Sequence, residues 1–214
     1  MTPKFAQAVD PIFLYVLDLL DRINRDESAS PQEDHLRICA LIDQAEAIVG
    51  ASPEWEIAKY AIVSWIDEML VDTEWQGREW WSNNILEVKF FNTRLCNERF
   101  YTRAQEASTL ASRDALEVFY DCVILGFRGL YRNPDFAVQL AASHGLPPDL
   151  ESWARQASMA IRLGQGRPPL SGPVRSLRGA SPLRTKPLVV WSWVAAAILA
   201  MVNVIYFSLF YSGS

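Results

Sequence analysis

The chain has 214 residues, half of them hydrophobic, with 25 acidic against 20 basic side chains and a net charge of −5. That length suffices to bury the core of one ordinary domain. The acidic balance excludes a nucleic-acid-binding surface, which needs cations facing phosphates. The charge is also split: every acid lies at or before Glu151, whereas Arg167, Arg175, Arg178, Arg184 and Lys186 follow with no acid among them.

Helix start signals recur along the chain, and strand-like alternation persists nowhere. The start, MTPKFAQAVDP, lacks the apolar run of a signal peptide. Asp10-Pro11 supplies a cap and a first-turn proline for IFLYVLDLL, with Thr2-Pro3 as an earlier start. Ser30-Pro31-Gln32-Glu33 reads as a capping box. The helix it opens carries Leu36, Cys39, Ile42, Ala45 and Val49 on one stripe, and Gly50 stops it. Ser52-Pro53 opens the next helix, apolar from Ile57 to Leu70 apart from a few polar residues that include Asp67 and Glu68.

Residues 72–84, DTEWQGREWWSNN, read as an ordered loop with one helical turn. Helices follow at 84–91, 95–110 and 113–126, then from Asn133-Pro134 to near Gly145, and from Asp149 to Leu163. The expectation is an all-α domain over 1–163, with seven or eight helices packed as a bundle. Residues 164–187, rich in Pro, Gly, Ser and Arg, read as an extended, mobile basic linker.

Residues 188–211 contain no charge and no proline. As a helix rising 1.5 Å per residue they cross a hydrocarbon core of about 30 Å with some tilt. Trp191 and Trp193 lie near one end, Tyr206 and Tyr211 near the other. The basic residues all precede the span and only residues 212–214 follow it, so the positive-inside rule places 1–187 in the cytoplasm and the tail in the periplasm. Ala196, Ala200 and Asn203 are the expected contacts with another membrane helix.

Chemistry is sparse. Cys39, Cys96 and Cys122 form no CxxC, and His35 and His144 are the only histidines, so no cofactor or metal is expected. The cysteines read as free, mostly buried thiols of a reducing compartment, and the histidines as solvated. Asp67-Glu68 is the polar feature that stands out. Three arrangements fit it: a solvated face, an acidic groove for a partner's Arg or Lys, or a general acid/base pair. The last is disfavoured because adjacent helical residues diverge by about 100°. Trp75, Trp80 and Trp81 raise a parallel choice between packing and recognition.

Three segments in order, YAIVSWIDEML (60–70) with TEWQGREWW (73–81), LEVKFFNTR (86–94) and ALEVFYDCVILGFRGLYR (115–132), followed by one membrane helix, resemble the DotU/IcmH/TssL family. These are inner-membrane components of bacterial type VI secretion, with relatives in type IVB secretion. The resemblance implies two small helical bundles in a hook-like arrangement and no enzymatic activity. It implies a scaffold that pairs with an inner-membrane protein of the IcmF/TssM type and docks the baseplate, with weak self-association and no small-molecule substrate.

By position, the resemblance assigns partner binding to Asp67, Glu68, Trp75, Trp81 and Glu87. It assigns structural motif roles to Gly77, Phe90, Phe91, Gly126, Gly129, Tyr131 and Arg132. Gly126 and Gly129 suit a helix end that needs positive φ or close backbone approach, and Glu87 and Arg132 are candidates to pair across helices. Some family members carry a wall-binding periplasmic domain after the membrane helix; this chain has three residues there. The alternatives are a type IVB homologue, which genomic neighbours separate, and a tail-anchored enzyme, which requires a pocket of convergent titratable groups.

Overall fold

The computed structural model describes residues 1–27, 29–164, 191, 193–194 and 196–205. The chain divides into two units, one ending at Pro168 and one beginning at Pro169. Among the described residues the first holds nine α-helices and one 3-10 turn. They are α1 (Pro3–Asn24), α2 (Pro31–Val49), α3 (Pro53–Asp72), α4 (Arg78–Asn83), α5 (Leu86–Phe91), α6 (Cys96–Thr109), α7 (Asp114–Ile124), the 3-10 turn (Gly129–Arg132), α8 (Pro134–Ser143) and α9 (Leu150–Gly164). With α4 taken as the single turn expected within 72–84, eight helices remain, as the sequence implies.

The caps explain the first boundaries. α1 takes the earlier of its two starts, so Pro11 lies inside the helix. Thr2 is held at that start by Asp114, whose Oδ1 accepts the Thr2 backbone N–H at 2.7 Å. Ser30 Oγ accepts from Glu33 N at 3.4 Å and Ser52 Oγ from Trp55 N at 3.1 Å, each filling an orphan donor of a first turn. Gly50 closes α2 with φ of 89°. At the end of α7, the Gly126 N–H bonds Val123 O and the Phe127 N–H bonds Cys122 O. This is a Schellman closure, and Gly126 takes its positive φ of 113°.

α3 is the axis of the domain. Every residue from Ile57 to Glu68 is buried, and α2, α4, α5, α6 and α7 all pack against it. This is why its apolar residues mark no single stripe: a helix enclosed on all sides needs none. Trp55 and Trp65 are fully buried on it, each worth on the order of 2–3 kcal/mol by area. Phe13 of α1 packs on the Trp65 ring at 5.1 Å. A second aromatic group, Phe100, Tyr101, Phe127 and Trp153, joins α6 to α9 and to the segment after α7; Phe100 and Phe127 stack at 3.9 Å.

In the second unit the described residues are helical and exposed. Ala196, Ala200 and Asn203 are among them, and Asn203 Nδ2 donates to Leu199 O at 3.1 Å. Among the described residues no helix is long and apolar enough to cross a membrane. The linker expected over 164–187 lies outside the described residues apart from Gly164, as do 188–190, 192, 195 and 206–211 of the expected span.

Candidate functional site

Several helical segments begin without a side-chain cap of their own, and three of them face one another. Ile85 precedes α5, Leu95 precedes α6 and Arg128 precedes the 3-10 turn, and none of them accepts a capping bond. Their first N–H groups still require acceptors. Three buried carboxylates from elsewhere in the chain supply them.

Asp67, on α3, serves α5. Its Oδ1 accepts from Leu86 N at 2.9 Å and its Oδ2 from Glu87 N at 2.8 Å. The indole N–H of Trp81 reaches the same Oδ1 at 3.0 Å. Glu68, one residue on, turns toward the 3-10 turn. Its Oε1 accepts from Arg128 N at 2.7 Å and its Oε2 from Gly129 N at 3.0 Å. Glu87, on α5, serves α6: Oε1 accepts from Leu95 N at 2.9 Å and Oε2 from Cys96 N at 3.2 Å. The hydroxyls of Tyr60 and Thr93 add bonds to Glu87 Oε1 at 2.9 and 2.7 Å. Negative charge at a helix N-terminus also meets the favourable end of the peptide dipoles.

The expected groove exists, but its acids are already engaged. A cleft of about 290 Å³ is lined by Asp67, Glu68 and Glu87 at its base, with Asp72, Ser82, Arg94, Asn97 and Arg132 among its other walls. Asp67 is 3% exposed, Glu68 5% and Glu87 0%. This overturns the solvated-face reading of the pair, and it leaves the carboxylates holding the chain's own donors rather than waiting for a partner's cation. The two adjacent acids also cap different elements, so they do not converge as an acid/base pair. Burial pushes the Asp67 carboxyl up to about 7, against the pull of its three N–H donors. Burial, then Glu87, pushes the Cys96 thiol up to about 12.

The other assigned residues fall into place around this site. Trp81 has no exposed surface, so it packs rather than presents itself. Trp75 is half-buried, donates to Leu70 O at 2.8 Å and lies across Gly77. A Cβ on Gly77 would stand 2.2 Å from that ring, which is why glycine is required there. Phe91 meets Tyr60 edge-on at 5.0 Å, and Phe90 packs against the core. Gly129 has φ of 51°, and a Cβ there would meet Phe127 at 2.8 Å and Asn97 O at 3.1 Å. Tyr131 is buried and donates to Pro147 O at 2.6 Å.

The expected Glu87–Arg132 pair does not form. Arg132 instead grips Asp72, Nη1 to Oδ1 at 2.8 Å and Nη2 to Oδ2 at 2.5 Å, and its Nη2 reaches Glu68 at 3.2 Å. Asp72 lies four residues after Glu68 on α3, so one guanidinium spans both. His35 is a second correction: it is buried against Trp80 and Trp81 rather than solvated. His144 is exposed after the end of α8. Tyr60, Thr93 and Asp72 were not singled out from sequence. The available signal was indirect: helix starts with no Ser, Thr, Asp or Asn ahead of them demand an acceptor from elsewhere. Among the described residues no cluster of three or more His, Cys, Asp or Glu stands ready for a metal ion.

A family model described as "Type VI secretion system protein DotU" matches residues 4–212. Among solved structures, the cytoplasmic domain of TssL from Acinetobacter baumannii matches with a TM-score of 0.58 at 21% identity, covering 75% of this chain and 98% of that one. SciP/TssL from enteroaggregative Escherichia coli 042 matches with a TM-score of 0.50 at 22% identity, covering 68% of this chain and 89% of that one. At these identities the likeness is one of fold. A comparison with curated protein sequences finds no match.

Proposed function

The chain belongs to the DotU family of type VI secretion system proteins, and on that premise we propose that it is a non-enzymatic scaffold subunit of the secretion membrane complex. Residues 188–211 anchor it in the bacterial inner membrane, with the helical domain cytoplasmic and the C-terminus periplasmic. The domain links an inner-membrane protein of the IcmF/TssM type to the cytoplasmic baseplate.

The observation that carries this reading is the braced cleft. Three helix starts converge on it and three buried carboxylates fix them, so its walls form a preorganised surface of the kind that loses little entropy on binding. Its rim, not its acidic base, is free to meet a partner. Arg94 is exposed and has no ion-pair partner among the described residues. A carboxylate on the partner suits it, with Ser82 and Asn97 offering further hydrogen bonds.

The test uses the full-length chain in membranes. Arg94→Glu and Asn97→Trp alter the rim without touching the caps. Each is expected to reduce co-purification of the IcmF/TssM-type protein or of baseplate components, with helical content unchanged by circular dichroism. Undiminished recovery of all partners with both variants would overturn the docking reading. Lys at positions 67 and 68 is unsuitable here, because it removes two caps and so tests folding.

A further inference from the structure

Away from the cleft, α2 and α5 bring three chemically capable side chains together. Lys89 Nζ lies 3.1 Å from Cys39 Sγ, although the two are 50 positions apart in the chain. His35 Nδ1 stands 3.8 Å from the same sulfur, one turn back along α2. His35 is 9% exposed, and Trp80 and Trp81 pack edge-on against its ring at 5.5 and 5.3 Å. Its Nε2 has no hydrogen-bond partner. Burial, and then the nearby Lys89 ammonium, hold His35 below the ordinary imidazole range. Cys39 carries a free thiol that keeps 6% of its surface exposed, whereas Cys122 keeps none. An imidazole and a lysine side by side at one thiol supply a base for its proton and a nitrogen nucleophile for its oxidised sulfur.

The other two cysteines make a contrast within the same chain. Cys122 is fully enclosed, and burial drives its thiol well up. Burial, and then the acids of the cleft, oppose a thiolate at Cys96. Only Cys39 has a lysine at hydrogen-bond distance among the described residues.

We infer that Cys39 is a peroxide-reactive thiol whose oxidised form is captured by Lys89 as a covalent S–N link between α2 and α5. The thiol proton passes to His35 Nδ1, and the thiolate attacks one oxygen of hydrogen peroxide. The S–O bond forms and the O–O bond breaks. The departing hydroxide takes the proton from His35 and leaves as water, so Cys39 becomes a sulfenic acid. Lys89 releases one ammonium proton to solvent, and its amine attacks the sulfenyl sulfur. The S–N bond forms, the S–O bond breaks, and the hydroxyl leaves with a proton as a second water. Sulfur gives up two electrons and one peroxide accepts them, so no other reagent is consumed. A small thiol reductant reverses the link by attacking the sulfur and returning the amine.

The inference does not depend on the docking reading. It does bear on the same wall of the fold, because α5 also carries Glu87, the cap of α6. A link from Lys89 to α2 would tether that wall covalently.

The test treats the purified full-length chain with hydrogen peroxide and maps peptides by mass spectrometry. The expected product joins the Cys39 and Lys89 peptides, is lighter than their sum by two hydrogens, and is separated by dithiothreitol. Lys89 is exposed, so Lys89→Arg leaves the fold intact. That variant should lose the joined product while a dione probe still traps sulfenic acid at Cys39. His35→Gln should slow the trapping several-fold, and Cys39→Ser should abolish both signals. Oxidation of Cys96 in preference to Cys39 would overturn the inference. So would trapping at Cys39 in the unaltered chain with no joined product.

Discussion

Trp81 and Asp67 meet in the interior as donor and acceptor, the indole N–H 3.0 Å from Oδ1. The same carboxylate holds the first two N–H groups of α5. One side chain of α3 thus fixes both short helices that follow it, and the aromatic loop and the LEVKFF segment share an anchor.

Asp67 makes stability depend on pH in a direction opposite to most paired carboxylates. Unfolded, it ionises near its ordinary value of 3.8; folded, it holds its proton to about 7. Between those values the folded state binds more protons, so stability falls as pH rises from about 4 to about 7 and is flat above. Asp121, raised to about 6 by burial and by Glu117, acts in the same sense. His35 acts oppositely, since its lowered value costs stability as pH falls below that of an unfolded histidine. Asp67→Asn should flatten the decline in urea midpoint between about pH 4 and about pH 7, while lowering stability overall by roughly 1–3 kcal/mol. The overall loss follows because an amide nitrogen replaces one of the oxygens that accept N–H groups. An unchanged pH profile would show that Asp67 is ionised in the fold.

Glu87 is expected to be the costliest of the three acids to truncate. Glu87→Gln keeps the shape but loses the charge at the start of α6, at about 1.5–3 kcal/mol. Glu87→Ala leaves two backbone N–H groups and two hydroxyls without their acceptor, at about 3–5 kcal/mol. Urea denaturation of both variants measures the ranking, and equal costs would count against a charge-assisted cap.

The positive-φ glycines should respond to alanine in a graded order. Gly145 has open space around it, so Gly145→Ala bears only the left-handed backbone cost of about 1–2 kcal/mol. Gly126→Ala adds a contact with Met69 Sδ at 3.4 Å. Gly129→Ala adds the Phe127 ring and the unyielding Asn97 carbonyl, and should exceed 3 kcal/mol, roughly the sum of strain and overpacking. Thermal midpoints give the order directly.

Gly77→Ala should displace the Trp75 ring rather than strain the backbone, because its Cβ would overlap that ring. The expected result is a loss of about 1–3 kcal/mol and a shift in tryptophan emission. The emission shift should be absent from Trp75→Phe carrying the same change.

Most of the helix plan was legible because its signals are local. Ser30, Ser52 and Gly126 mark boundaries through bonds made within a few residues. Glycine was also readable at positions 126 and 129, since positive φ leaves little choice of residue. The roles of Asp67, Glu68 and Glu87 were not readable. Their partners lie up to 61 positions away, and α3 is apolar on every side, so no stripe told inward from outward. Glu87 is a candidate partner for Arg132 in the sequence, whereas the helical spacing of Glu68 and Asp72 decides its contacts. In sequence His35 reads as solvated because acids surround it; the tryptophans that cover it come from α4.

The borrowed caps also bear on how the domain comes apart. A helix whose first turn is closed by its own serine can fray and re-form without involving its neighbours. The starts of α5, α6 and the 3-10 turn lack that independence, because two are closed by α3 and the third by α5. Opening any of them strands a buried carboxyl group, so these segments should unzip together with α3 as a single cooperative unit, and amide exchange there should track global unfolding rather than local breathing.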